Sequence, residues 1–105
     1  MIYYLDTSAL VKRYYTEKGS AYIHELFRPE NLLAVSKVAY AELLAALARK
    51  RREKEIGEAD FGRAVESFQD EWQEFLVVEV IDAVFTDLLS LVRRHPLRGF
   101  DAIHL

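Results

Sequence analysis

The 105-residue sequence contains no cysteine, two prolines, four glycines, one methionine and one tryptophan. Without cysteine there is no disulfide scaffold, no thiolate metal site and no cysteine nucleophile. That composition suits a reducing compartment, and a cytoplasmic location is expected. With so little proline and glycine, no linker or low-complexity stretch is visible, and there is no internal repeat. Long apolar runs are also missing. Only five apolar residues precede Asp6, too few for a signal peptide or a membrane span, so no membrane partner is expected. Neither sign of charge dominates. The formal net charge of −3 argues mildly against a nucleic-acid partner, although the local distribution of charge matters more than the total. With 51% hydrophobic and 30% charged residues, the composition is that of one small soluble domain.

The most informative stretch is Ile2-Tyr3-Tyr4-Leu5-Asp6-Thr7-Ser8. Its apolar, β-favouring run fits a strand buried on both faces of a parallel sheet. Asp6 then falls at the C-terminal edge, where open α/β sheets bind ligands. Thr7 or Ser8 is expected to cap the helical pattern Ala9–Tyr14. An aspartate at the end of a central strand calls for a compensating cation, because an unpaired buried charge is costly. A plain N-cap or turn aspartate is the other reading, and this stretch alone does not choose between them.

Further along, Ser20 is expected to cap a helix over Ala21–Phe27, and Leu32–Val35 reads as a second buried strand. Ser36 then caps a long helix from about Lys37 to Lys54, ended by Gly57. A fourth helix spans about Glu58–Glu74. There Phe61, Val65, Phe68, Trp72 and Phe75 recur at steps of 4, 3, 4 and 3, the mark of a core-facing stripe. Leu76–Val80 is a third strand and Asp82 opens a fifth helix, which stops at His95-Pro96. Phe100–Leu105 reads as the start of another helix. The order βααβααβαα predicts a parallel sheet with right-handed crossovers. A sheet of three strands would leave an apolar edge exposed, so the C-terminal strand or strands are expected to be missing from this chain.

Three acidic residues share a similar local setting. Asp6 ends the first strand, Glu42 lies early in the helix after the second, and Asp101 lies in the expected first turn of the last helix. In a doubly wound sheet all three reach the C-terminal edge, where helix N-termini also favour negative charge. All-oxygen ligands of this kind suit hard cations, Mg²⁺ or Mn²⁺. Without such an ion, clustered carboxylates repel one another.

Taken with their neighbours, these residues carry a resemblance. Asp6-Thr7-Ser8-Ala9-Leu10-Val11-Lys12, Ala39-Tyr40-Ala41-Glu42-Leu43 and Arg98-Gly99-Phe100-Asp101-Ala102-Ile103-His104-Leu105 together resemble a PIN domain, and more closely the VapC-type toxin ribonucleases of toxin–antitoxin pairs. The resemblance runs the length of the chain. It implies a three-layer α/β fold with a central parallel sheet, formed here by a single, C-terminally incomplete domain over residues 1–105. It implies metal-dependent hydrolysis of RNA phosphodiesters, with Asp6, Glu42 and Asp101 as catalytic residues and as ligands, direct or through water, of Mg²⁺ (or Mn²⁺). Ser8, with Thr7, would support the site by hydrogen bonding. An antitoxin partner and a homodimer are implied as well. The family usually carries a further acidic residue on a later strand, past the block that ends here.

The competing reading is a catalytically inactive PIN-like module for protein interaction or dimerisation. A phosphoryl-transfer site with Asp6 as nucleophile fits poorly, since Ser8 stands where a second aspartate is wanted. Among the cations, Lys12, Arg13 and Arg98 are the candidates for RNA-backbone contacts. The cluster at 49–54, with five basic residues in six, reads better as a solvated helix C-terminus that complements the helix dipole. His104 is read as structural, and His24 and His95 as surface or cap residues.

Overall fold

The computed structural model describes residues 1–79 and, for their backbone, 100–103. Ile2–Leu5 forms β1, the strand around which the sheet is laid down. β2 (Leu32–Ser36) pairs with it in parallel from Ile2↔Leu32 to Leu5↔Val35. β3 (Leu76–Val78) extends the sheet beyond β2, and β4 (Phe100–Ile103) pairs with the opposite side of β1. The order β3-β2-β1-β4, parallel throughout, puts a reversal of strand order at β1. The C-terminal end of β1 is therefore a topological switch point, the usual place for a ligand crevice in such sheets.

The helices are α1 (Thr7–Tyr14), α2 (Ser20–Leu26), α3 (Ala39–Arg52) and α4 (Glu58–Trp72). α1 packs on α2, α3 and α4, and α3 packs on α4. The core between helices and sheet is led by Leu5, Leu10, Ile23, Val35, Leu43, Leu47 and Phe68, all inaccessible to solvent. Burying each such side chain favours folding by about 1.5–3 kcal/mol. The aromatic stripe of α4 is core, as its spacing predicts. Phe68 meets Tyr14, Tyr40 and Trp72 at ring-centroid distances of 5.3, 5.4 and 5.5 Å. None of the described helices is long and apolar enough to cross a membrane.

Several element ends differ from expectation. Gly19, in the left-handed region at φ 96°, is the N-cap of α2, so Ser20 is the first helical residue. The Ser20 hydroxyl instead accepts from the Glu17 amide and donates to the Tyr15 carbonyl. α3 begins at Ala39, and Lys54 turns the chain after it with φ 60°, so Gly57 caps the start of α4 rather than ending α3. β1 is buried on both faces only at Leu5; its other three residues are half-buried.

The largest departure is at Phe100–Ile103, a strand rather than the first turn of a helix. One helical turn is a costly nucleus with a single hydrogen bond to show for it, whereas the same four residues laid along β1 satisfy the strand's otherwise open backbone groups. The expected helix from Asp82, the His95-Pro96 stop, Arg98 and His104 lie outside the described residues.

One polar group is deeply set in this core. The Tyr14 hydroxyl lies beside the Glu71 carboxylate, and burial, reinforced by that negative charge, holds the phenol well above its ordinary value. The folded state therefore keeps a proton that the unfolded chain releases at about pH 10, so stability is full below that pH and falls as pH rises through it. We expect melting temperature to drop between about pH 9 and about pH 11, and Tyr14→Phe to drop less. Parallel melting curves for the two proteins would refute this assignment.

Candidate active site

Asp6 follows the last residue of β1 and has the extended backbone (φ −76°, ψ 171°) of an N-cap. Its Oδ1 accepts from the Ala9 amide at 2.8 Å and from the Ser8 hydroxyl at 2.9 Å. Asp6, rather than Thr7 or Ser8, is thus the cap of α1, and the Ser8 hydroxyl bonds back to its carboxylate. Capping fixes the carboxylate at the positive end of a helix and is compatible with a ligand role.

Glu42 stands in the first turn of α3, exposed on the side of the helix that faces the end of β1. The Thr7 hydroxyl donates to Glu42 Oε1 at 3.1 Å. This one bond ties the beginning of α1 to the beginning of α3 and brings both carboxylates to a cleft of about 390 Å³. Tyr4, Asp6, Thr7, Ser8, Ser36 and Glu42 line it. The N-termini of α1 and α3 converge there, and their dipoles favour negative charge.

Tyr4 and Ser36 belong to this cleft although the sequence reading did not place them in it. Ser36 is buried at the end of β2, where its hydroxyl accepts from the Val38 amide at 3.1 Å instead of capping α3. Burial, then the negative charges of Asp6 and Glu42, push the Tyr4 phenol up, with the neighbouring Ser36 hydroxyl acting in the opposite sense. The signal that finds Tyr4 is strand alternation, which puts residues 4 and 6 on one face.

Asp101 is not brought to this edge by its backbone register. It pairs with Tyr3, three residues before Asp6, which sets it about 10 Å back along the sheet at ~3.3 Å per residue. Its side chain is not described. Among the described residues no group of three or more acidic or histidine side chains forms a ready cation cage. Two carboxylates with hydroxyls from Thr7, Ser8 and Ser36 nonetheless make an all-oxygen donor set, which fits a hard divalent cation.

Of the expected RNA-contacting cations, Arg13 is otherwise engaged. Its guanidinium holds Glu71 with both ends, at 3.1 and 2.7 Å, contacts His24 Nδ1 at 2.9 Å and stacks 4.1 Å from the Phe27 ring centroid. It pins α1 to α2 and α4, a use for which the planar fork is well suited. Lys12 pairs with Glu17 at 3.1 Å. In the basic cluster, Lys50 pairs with Glu55 and lies over Tyr15, while Arg51 lies over Phe61. These contacts agree with a structural helix end.

A larger groove of about 820 Å³ runs between the C-terminal end of α1 and α4. Most of its charges are already matched: Arg13 with Glu71, Arg63 with Asp60 and Glu55 with Lys50, which leaves Asp70. Chemistry rather than size singles out the smaller cleft.

Residues 3–105 match the family model for the PIN domain. Over 102 residues the chain is 36% identical to ribonuclease VapC45 of Mycobacterium tuberculosis (strain CDC 1551 / Oshkosh), covering 97% of this chain and 71% of that protein. The same figures hold for ribonuclease VapC49 of Mycobacterium tuberculosis (strain ATCC 25618 / H37Rv).

Proposed function

The chain belongs to the PIN domain family, and from that membership we propose that it is a divalent-metal-dependent endoribonuclease, the toxin of a toxin–antitoxin pair. The observation that carries the reading is the Thr7–Glu42 bond, which draws Asp6 and Glu42 to one cleft at the switch point of the sheet. Both relatives named above are ribonucleases.

In this reading Asp6 and Glu42 hold the ion, Mg²⁺ (or Mn²⁺); Asp101, which the β4 register sets about 10 Å back along the sheet, is put with them by the resemblance alone. A bound divalent ion supplies an acidified water and neutralises charge at the scissile phosphate. Ser8 and the Ala9 amide fix the Asp6 carboxylate, and Thr7 fixes that of Glu42. The two helix N-termini lower the cost of gathering these charges with an anionic substrate. Lys12 and Arg98 contact the RNA backbone. Lys12 can exchange its exposed Glu17 partner for a phosphate because such pairs are worth only about 0–1 kcal/mol. The partners are RNA, an antitoxin protein and a second copy of the chain; exposed Leu76 and Val77 on the edge strand β3 support the last. The cytoplasm is the expected compartment.

The test is cleavage of single-stranded and structured RNA by the purified chain, before and after chelation. Activity should vanish with chelator and return with Mg²⁺ or Mn²⁺. The same assay in a salt titration reads the cations: Lys12→Gln with Arg98→Gln should flatten the log–log slope by about 1.4, at ~0.7 per phosphate contact on a single strand. An unchanged slope removes those two residues from the interface. No cleavage and no cation binding would leave the inactive interaction module as the better account.

A further inference from the structure

The helix that carries Glu42 also carries charge that the ribonuclease reading leaves unused. In an α-helix the residue seven positions on returns to the same face two turns later. On α3, Glu42 therefore heads a row that passes Ala45 and Ala46 and reaches Arg49, with Arg52 one turn further. Arg49 lies about 10 Å beyond Glu42 along the axis and Arg52 about 15 Å, at ~1.5 Å per residue. Glu42, Ala45, Arg49 and Arg52 are all exposed, whereas Leu43 and Leu47, on the other side of the helix, are in the core. Between the carboxylate and the arginines the surface is low, because alanine stops at Cβ. Glu53, the C-cap, closes the row.

These two arginines differ from the other cations of the same turn. Lys50 pairs with Glu55 and lies over Tyr15, and Arg51 pairs with Glu58 and lies over Phe61. Both fasten the end of α3 to its surroundings and complement the helix dipole. Arg49 and Arg52 take part in no ion pair among the described residues, so their charge is open to a partner. The carboxylates at the head of the row repel a polyanion until a cation offsets them, and Arg13 is committed to Glu71. A strand led to the cleft needs cations further out, and single-strand grooves supply them by tracking the backbone.

We infer that the exposed face of α3 is a track for single-stranded RNA, on which Arg49 and Arg52 hold phosphates of the strand being cut at Asp6 and Glu42. The inference rests on the ribonuclease reading and gives the path of its substrate beyond the cleft. A guanidinium grips a phosphate with two parallel N–H donors, and such contacts position a strand without reading its sequence. An acidic protein segment would meet the same two charges. RNA is the better occupant because the row begins at the carboxylates that would hold an ion for its phosphate.

The experiment is binding of a fluorescein-labelled single-stranded RNA of about 12 nucleotides, a usual length for such grooves, read by anisotropy with divalent ions chelated. It compares the chain with Arg49→Gln/Arg52→Gln, Ala45→Glu and Arg28→Gln, with a melting curve for each. The double variant should bind between about 2- and 30-fold more weakly, as loss of two exposed ion pairs would give. Its log–log salt slope should flatten by about 1.4, at ~0.7 per phosphate contact. Ala45→Glu sets a negative charge in the middle of the row on a good helix former, and should weaken binding comparably. Arg28→Gln removes one positive charge from the exposed turn before β2 and should bind as the wild type does. With Mg²⁺ present, the double variant should cut the RNA with a raised KM and a kcat close to that of the wild type. Unchanged affinity and slope in the double variant overturn the track and leave the arginines to an acidic protein segment. An equal loss in Arg28→Gln overturns it too, because net charge then explains the effect. In both cases chelator-sensitive cleavage by the wild type keeps the ribonuclease reading. RNA held through the two arginines but cut with neither Mg²⁺ nor Mn²⁺ upholds the face and overturns the ribonuclease reading. A wild type that binds no RNA overturns the track. Should the double variant not fold, Ala45→Glu decides: weaker binding upholds the track and wild-type binding overturns it.

Discussion

Asp6→Asn is expected to abolish divalent-cation binding and RNA cleavage while leaving the melting temperature close to that of the wild type. Asparagine is as good an N-cap as aspartate. Its carbonyl oxygen can take the place of Oδ1 as acceptor for the Ala9 amide and the Ser8 hydroxyl. What it lacks is the charge, and a neutral amide is a poor ligand for a hard cation beside the single remaining carboxylate of Glu42. Activity should fall by at least about 100-fold, a change of roughly 2.7 kcal/mol in transition-state stabilisation. Asp6→Ala gives the contrast. It removes cap and charge together, so it should lose activity and also about 1 kcal/mol of stability, a melting shift of about 4–8 °C in a domain of this size. Calorimetry with Mn²⁺ and melting curves on the two variants separate the roles. If Asp6→Asn binds Mn²⁺ with unchanged affinity, Asp6 is a cap and nothing more.

The dual use of Asp6 shows why the sequence led only part of the way to the site. Asp6, Thr7 and Ser8 are all good capping types, and side-chain chemistry alone cannot rank them. The extended backbone at Asp6 decides, and that angle is set where β1 leaves the sheet. Glu42 was legible because it interrupts an apolar stretch one helical turn after a strand. Tyr4 was not, because a strand read as buried on both faces gives an aromatic residue no reason but packing. β1 is in fact half-open, and its face toward the cleft carries Tyr4 ahead of Asp6. The residues from Phe100 present the opposite difficulty. Four residues are too few for any period to declare itself, and only the vacant side of β1 chooses the strand. Long elements with a strong stripe were read correctly, and α4 is the clearest of these.

That stripe supports the prediction with the largest effect on stability. Phe68→Ala is expected to cost about 3–5 kcal/mol, a large share of the roughly 5–15 kcal/mol that holds a domain folded. The ring is fully buried and meets Tyr14 edge-on at 71°, Trp72 at 67° and Tyr40 at a 34° tilt. Each such pairing is worth about 0.5–1.5 kcal/mol beyond the area it buries, and alanine forfeits all three while leaving a cavity among rigid rings. Urea unfolding should show the midpoint falling sharply, and a loss below about 1 kcal/mol would mean that the stripe is not core. Phe68→Leu, which keeps most of the volume, should cost far less. The variant also separates scaffold from site. Tyr40 stands two residues before Glu42 and touches both Phe68 and Trp72, so its ring is one of the contacts by which α4 holds the start of α3. If the core serves the cleft only by holding this helix, the fraction of Phe68→Ala that stays folded in the cold should bind Mn²⁺ more weakly than the wild type. Phe68→Leu, with Tyr40 still supported, should bind as the wild type does.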